Sequence, residues 1–163
     1  MPHRFLGLIL SLLAALALGI ALASEHWGGL VPCALCLWER WPYRTVMILG
    51  ALAVILPRPW ARLALWIACA TLLTGVLLGA IHVGVEWKFW PSPLPECAAP
   101  DLSGLSIAER LARMPATPAK PCDEPTYLLP VLPLSMAMMN FLLALAMAGG
   151  LAIALRRRQA RTP

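Results

Sequence analysis

Charge is scarce in this 163-residue chain. Only 13% of its residues are Asp, Glu, Lys or Arg, where a soluble domain carries about 25%. Aromatic residues are few as well, at 7%, while 60% of the residues are hydrophobic. The shortage of charge excludes an ordinary soluble globular domain, and the apolar excess excludes a disordered chain. No internal repeat and no second domain is visible, so residues 1–163 are expected to form one unit. Acids are missing from several stretches that hold arginine, and this asymmetry decides how the net charge of +5 is read.

Long uncharged segments stand in place of the missing charge. A membrane span needs about 20 predominantly apolar residues. Residues 5–23, 63–83 and 133–155 contain no Asp, Glu, Lys or Arg, and residues 37–56 carry only Glu39, Arg40 and Arg44. The pattern predicts an all-α membrane protein, a four-transmembrane-helix bundle with loops at 24–36 and 84–132. Arg4, Arg58, Arg62, Arg156, Arg157, Arg158 and Arg161 fall on one side of these spans, with no acid among them. All eight acids fall on the other side or at the start of the second span. Basic loops stay in the cytoplasm, so both termini are expected there. The basic balance is therefore a topology signal, and no nucleic-acid partner is expected. Residues 5–23 are longer than a usual signal-peptide core, and removing them would leave an odd number of spans, so a retained span is expected.

Cys33, Cys36, Cys97 and Cys122 lie on the non-cytoplasmic side, the compartment where a bacterial cell forms and keeps disulfides. Cys69 is mid-span and reads as a small buried apolar side chain. The C-x-x-C of Cys33-Ala34-Leu35-Cys36 fits a zinc half-site, a structural disulfide or a redox dithiol, and its setting favours redox chemistry. Pro32 suits the first turn of a helix. That places the pair at the N-terminus of the second span, where the dipole stabilises a thiolate. Arg40 follows Cys36 by four residues and shares its helix face; there it would stabilise a Cys36 thiolate and any anion beside it. Its alternative reading is a snorkelling interfacial charge. Glu39 reads as interfacial. Trp38, Trp41 and Tyr43 read as an aromatic belt or as the wall of a flat ligand. Pro42 removes a backbone bond to the Trp38 carbonyl and should loosen the helix. A zinc site recruiting Cys97 and Cys122 lacks the tight pairing common in such sites. A membrane metal-binding or metal-transfer protein is accordingly the alternative function.

Ten of the sixteen prolines fall between Pro91 and Pro133. Such a loop favours extended backbone with little core of its own. A disulfide between Cys97 and Cys122 would be either a staple worth about 3.5 kcal/mol by chain entropy or an exposed, exchangeable pair. Ser106-Ile107-Ala108-Glu109 reads as a capping box. Ile107, Leu111 and Met114 then form an apolar stripe flanked by Arg110 and Arg113. This short amphipathic helix is expected at the membrane–water interface, leaving the cysteine-bearing arms mobile.

Four apolar segments combined with Pro32-Cys33-Ala34-Leu35-Cys36-Leu37-Trp38-Glu39-Arg40, Pro91-Ser92-Pro93-Leu94-Pro95-Glu96-Cys97 and a later Cys122 form a distinctive whole. From Phe5 to Leu155 it resembles the DsbB family, inner-membrane disulfide-forming proteins of Gram-negative bacteria. The resemblance implies a thiol:quinone oxidoreductase that reoxidises a DsbA-like periplasmic thiol oxidase and passes two electrons to a membrane quinone, ubiquinone or menaquinone. It further implies that Cys97 forms the mixed disulfide with that partner, with Cys122 as companion. Cys33 would exchange with the loop pair, Cys36 would face the quinone, and Arg40 would lie beside a quinone oxygen. Some members carry a quinone-contacting His just before the Pro-Ser-Pro stretch. Ungapped alignment puts Gly84 at that position, with His82 two residues earlier, and a two-residue shift turns a helical side chain by about 200°. His82 is thus either a cofactor contact or a plain helix-end residue. Glu86 is placed to pair with His82 or with Lys88.

Overall fold

The computed structural model describes residues 3–97, 104, 106–112, 120–128, 131 and 133–159. Five α-helices follow in chain order: α1 (His3–His26), α2 (Ala34–Ile55), α3 (Arg58–Glu86), α4 (Ile107–Ala112) and α5 (Met136–Gln159). Among the described residues there is no strand, only two isolated backbone bridges, Cys33 with Lys120 and Tyr127 with Ser135. Each long apolar run became a helix because hydrocarbon offers no partner for backbone polar groups, which must be satisfied within the segment. α1, α3 and α5 are long and apolar enough to cross a membrane. α2 has comparable length but carries Glu39, Arg40 and Arg44 along its first half and is not among these three.

Local chemistry sets the helix ends. Leu56 precedes Pro57, which disfavours the helical region and stops α2. Pro57 then caps α3, with Pro59 in the first turn, where a missing N–H costs nothing. Pro32 lies one residue before the cap of α2 rather than in its first turn, because Cys33 itself is the N-cap. α2 runs unbroken through Pro42. The proline ring packs close to Gly75 of α3, where an added Cβ would meet it at 3.3 Å.

α1 packs on α2, α2 on α3 and α3 on α5, with α1 also touching α3. The shared core is rich in small side chains, with Ala14, Ala53, Ala68 and Ala144 fully enclosed. Leu12, Leu16, Leu73 and Leu77 face outward and are more than half exposed. Small residues inside and large apolar ones outside are what a lipid solvent requires. Cys69 is buried in this core, as its sequence setting suggests. An Arg158 guanidinium nitrogen lies 2.8 Å from His3 Nδ1, which brings the two ends of the chain to one end of the bundle. The cysteine pairs are at the other.

α4 carries the expected capping box. The Glu109 carboxylate accepts from the Ser106 N–H at 2.9 Å, and the Glu109 N–H donates to Ser106 Oγ at 3.4 Å. Hydrogen bonding from Ser106 holds the fully exposed Glu109 carboxyl below its ordinary range. Ile107 and Leu111 are exposed. Met114, Arg113 and Arg161 lie outside the described residues.

The tightest contact between helices is α1 on α2. A Cβ at Gly50 would lie 2.7 Å from the Gly7 carbonyl oxygen, and one at Gly7 would lie 2.6 Å from that of Gly50. One turn away, Ser11 Oγ donates to the Met47 carbonyl at 2.9 Å. Gly50→Leu is therefore expected to force α1 off α2 and destabilise the fold by at least the ~1–3 kcal/mol typical of overpacking. Gly149→Ala, which meets nothing within 4 Å, should not lower the melting temperature in detergent, since alanine is the better helix former. Equal melting temperatures for the two variants would refute the close-approach reading.

Candidate active site

Four of the five cysteines converge. Cys97 and Cys122 form a disulfide with Cα atoms 5.0 Å apart, while Cys33, Cys36 and Cys69 are free thiols. The disulfide is buried, with Cys97 4% and Cys122 1% exposed, and it packs in one cluster with Cys33, Leu35 and Val85. This corrects the expectation of an exposed pair. A disulfide is an apolar surface, and here it closes a small second core over the end of the helices. Two local features hold it there. Cys97 ends a 3-10 turn at Pro95–Cys97, and the Lys120 backbone bridges to that of Cys33, two residues before Cys122.

Cys33 caps α2. Its Sγ accepts the Cys36 backbone N–H at 3.2 Å and lies 2.8 Å from Cys36 Sγ. The hydrogen bond with the Cys36 thiol pulls the Cys33 thiol below its ordinary range; the helix-terminal backbone N–H groups add to this, and burial opposes it. The amides that begin the helix thus address Cys33 rather than Cys36. On its other side, Cys33 Sγ lies 3.5 Å from His82 Nε2. The far nitrogen, Nδ1, lies 2.9 Å from Glu39 Oε1. Thiol, imidazole and carboxylate form a continuous buried chain from α2 to α3 and back, with His82 2% and Glu39 5% exposed. Glu39 is therefore no interfacial carboxylate.

Arg40 is buried too, and its guanidinium pairs with Glu25 of α1 at 2.8 Å. It borders a largely apolar cavity of about 230 Å³ between α1, α2 and α5, whose walls include Leu18, Cys36, Tyr43 and Asn140. Cys36 and Arg40 thus face one cavity, as their four-residue spacing suggested. His82 is not among the cavity's walls. Tyr43 lines it, whereas Trp38 and Trp41 are exposed. Asn140 Nδ2 is buried with no hydrogen-bond partner. The Asn140 backbone carbonyl accepts from the Tyr43 hydroxyl at 3.3 Å.

Three donors, Cys33 Sγ, Cys36 Sγ and a His82 nitrogen, lie within 4.8 Å of one another. Tetrahedral zinc takes four. With both loop thiols consumed in the disulfide, the four-thiolate site considered from the sequence does not assemble.

Sequence reasoning missed Glu25 and Asn140, and read Glu39 as peripheral. The available signal was rarity: a lone amide in an otherwise apolar span marks a functional position. It also left Gly84 unexplained. The chain turns back after α3 through Lys88, whose φ is 61°, and lays the Trp90 ring over Gly84. There an added Cβ would run into the ring. Trp90 Nε1 donates to the Ile81 carbonyl at 3.1 Å. With the Trp90 ring in this place, no side chain fits at position 84. Glu86 bonds with the Ser135 hydroxyl rather than with His82 or Lys88. Gly84→Ala is expected to cost about 1–3 kcal/mol by overpacking, and the Trp90→Leu background should relieve most of that cost. A double-mutant cycle of melting temperatures with no coupling between the two positions would refute this packing.

A family model described as disulfide bond formation protein DsbB matches residues 3–155. Uncharacterized protein RP370 of Rickettsia prowazekii is 28% identical over 142 residues, covering 86% of this chain and 81% of that protein. Disulfide bond formation protein B of Aeromonas hydrophila is 35% identical over 94 residues, covering 53% and 52%. The protein of that name from Pasteurella multocida is 28% identical over 88 residues, covering 53% and 48%. The chain therefore aligns with about half the length of these two named relatives. No solved structure matches it. The family match runs through both cysteine pairs and all four long helices, and this chain belongs to the DsbB family of disulfide bond formation proteins.

Proposed function

We propose that this chain is a thiol:quinone oxidoreductase of the bacterial inner membrane. It reoxidises a DsbA-like periplasmic thiol oxidase and passes the electrons through its two cysteine pairs to a membrane quinone. One observation carries the reading: both pairs meet in a single buried cluster, and one member, Cys36, also lines an apolar cavity that Arg40 borders. In this reading α2 is the fourth span, with Glu39 and Arg40 each paired and Arg44 set over the Trp41 ring, and both termini face the cytoplasm by their arginines.

The cavity suits a quinone head group. Its volume of about 230 Å³ is close to the lower end of small-molecule pockets, about 300 Å³, which fits a single ring whose tail lies in lipid. Its walls are apolar apart from a few polar groups. Arg40, and Asn140 through its unpartnered Nδ2, supply donors to carbonyl oxygens on separate helices. A bound quinone would supply a sink for two electrons and two protons.

The chain's own residues perform the thiol chemistry. A reduced partner dithiol attacks the Cys97–Cys122 disulfide, leaving the partner oxidised and the loop pair as two thiols. That loop dithiol then reduces a Cys33–Cys36 disulfide, regenerating its own bond and leaving Cys33 and Cys36 as thiols. Each exchange conserves two electrons and proceeds by in-line thiolate attack. Because Cys97 and Cys122 are buried, an incoming thiol reaches them only after the loop opens at its bridge to Cys33.

The test mixes the purified protein, a reduced DsbA-like protein and a soluble quinone, and follows quinone absorbance. Steady reduction is expected, abolished in Cys36→Ser and in Cys97→Ser. No reduction by the unmodified protein, or full activity in either variant, would overturn the relay. Arg40→Ala and Asn140→Leu should each raise the apparent KM for quinone, by about tenfold for a lost hydrogen bond to a polar group. An unchanged KM would remove that residue from the site.

A further inference from the structure

Forming the Cys33–Cys36 bond from two thiols releases two electrons and two protons. The electrons leave toward the cavity that Cys36 lines, but Cys33 faces away from it, and its proton needs its own route. His82 Nε2 is in contact with Cys33 Sγ at 3.5 Å, and His82 Nδ1 is held at 2.9 Å by Glu39. A buried imidazole backed by a carboxylate is fixed in tautomer and orientation, and the carboxylate stabilises the imidazolium. We propose that His82 is the proton carrier of the Cys33 thiol, and that Glu39 is the positioning residue that holds His82 in this role. The inference rests on the thiol chemistry proposed above.

In the oxidising direction, Cys33 gives its proton to His82 Nε2 and its sulfur, now a thiolate, closes the bond to Cys36. The electron pair would pass to a bound quinone, which would take one proton from Cys36 and one from water, while His82 keeps the Cys33 proton as an imidazolium until the next exchange. In the reducing direction, a loop thiolate attacks Cys33 and expels Cys36; the second loop thiol then re-forms the Cys97–Cys122 bond. His82 returns its proton to the departing Cys33 sulfur, while the two loop protons go to Cys36 and to water. Protons and electrons balance in both directions. The low-lying Cys33 thiol is consistent with this role. It also accounts for the placement of His82, which stands beside the reactive sulfur and outside the walls of the cavity.

The charged and titratable surroundings of His82 are few. α2 presents Cys33, Cys36 and Glu39, and α3 adds Glu86. Glu86 is held by Ser135 at the start of α5 and faced by Lys120 of the loop. Glu25 of α1 is engaged with Arg40.

The experiment requires neither quinone nor partner, so its failure is separable from failure of the relay. In the full chain, Cys36, Cys97 and Cys122 are replaced by serine and Cys69 by alanine, leaving Cys33 as the sole thiol with a hydroxyl donor still at position 36. The rate of alkylation by N-ethylmaleimide is then measured against pH. The expected midpoint lies below the ordinary thiol value of about 8.5, and His82→Gln should raise it by about one unit or more. Glu39→Gln decides the role of the carboxylate by sign. As a bare negative charge near the sulfur, its removal would lower the midpoint; acting through His82, its removal should raise it. That rise should vanish in the His82→Gln background. An ordinary midpoint in the sole-thiol protein would overturn the proposal without any change at His82. So would an unmoved midpoint in His82→Gln, or a lowered one in Glu39→Gln.

Discussion

Two adjacent charges on one buried helix face organise this molecule. Glu39 and Arg40 lie in a chain with little charge to spare, near the start of a helix packed between two others. Removing either from water without a partner would cost several kcal/mol. Consecutive residues on a helix point about 100° apart, so the two cannot share one partner. Arg40 reaches α1 and pairs with Glu25, while Glu39 reaches α3 and bonds with His82. The demands of two neighbouring side chains therefore orient α2 between α1 and α3 and fix which faces look toward the cavity and toward Cys33.

The apolar packing makes these short polar contacts possible. Gly7 and Gly50 let the α1 and α2 backbones approach closely, and Gly75 accommodates the Pro42 ring between α2 and α3. Without a hydrophobic driving force between helices in lipid, close van der Waals contact and interhelical hydrogen bonds hold such a bundle together. The same geometry divides the labour of the C-x-x-C. Cys33, as the cap, receives the helix amide and the imidazole, whereas Cys36, three residues on, faces the cavity. The loop disulfide then packs over Cys33, Leu35 and Val85 and shields the polar chain beneath it from water.

Much of the helical architecture was legible, because burial in hydrocarbon leaves a plain trace in uninterrupted apolar runs. The C-x-x-C at a helix start, the Cys36–Arg40 face and the capping box of α4 were also legible, since each is local and follows from helical spacing. Glu39 was misread because its spacing resembles that of any charge near a span's end, and only its partner on α3 distinguishes it. His82 could not be assigned to Cys33, which is 49 residues away along the chain. The glycine at position 84 was legible, but not the Trp90 ring folded over it. The loop was read as exposed because its composition is rich in proline, yet its cysteines are the most buried part of it that the structure describes.

The sequence by itself determined where the helices run, which cysteines belong together near one end, and that an arginine accompanies one of them. These are consequences of periodicity and of the cost of charge in lipid, both written in nearest neighbours along the chain. Only the tertiary structure decided that the second cysteine pair is buried against the first, that Arg40 is anchored by Glu25, and that His82 lies between the Cys33 sulfur and Glu39. Those decisions depend on contacts between residues dozens of positions apart. Their geometry comes from how closely helices pack, and no local pattern encodes that distance.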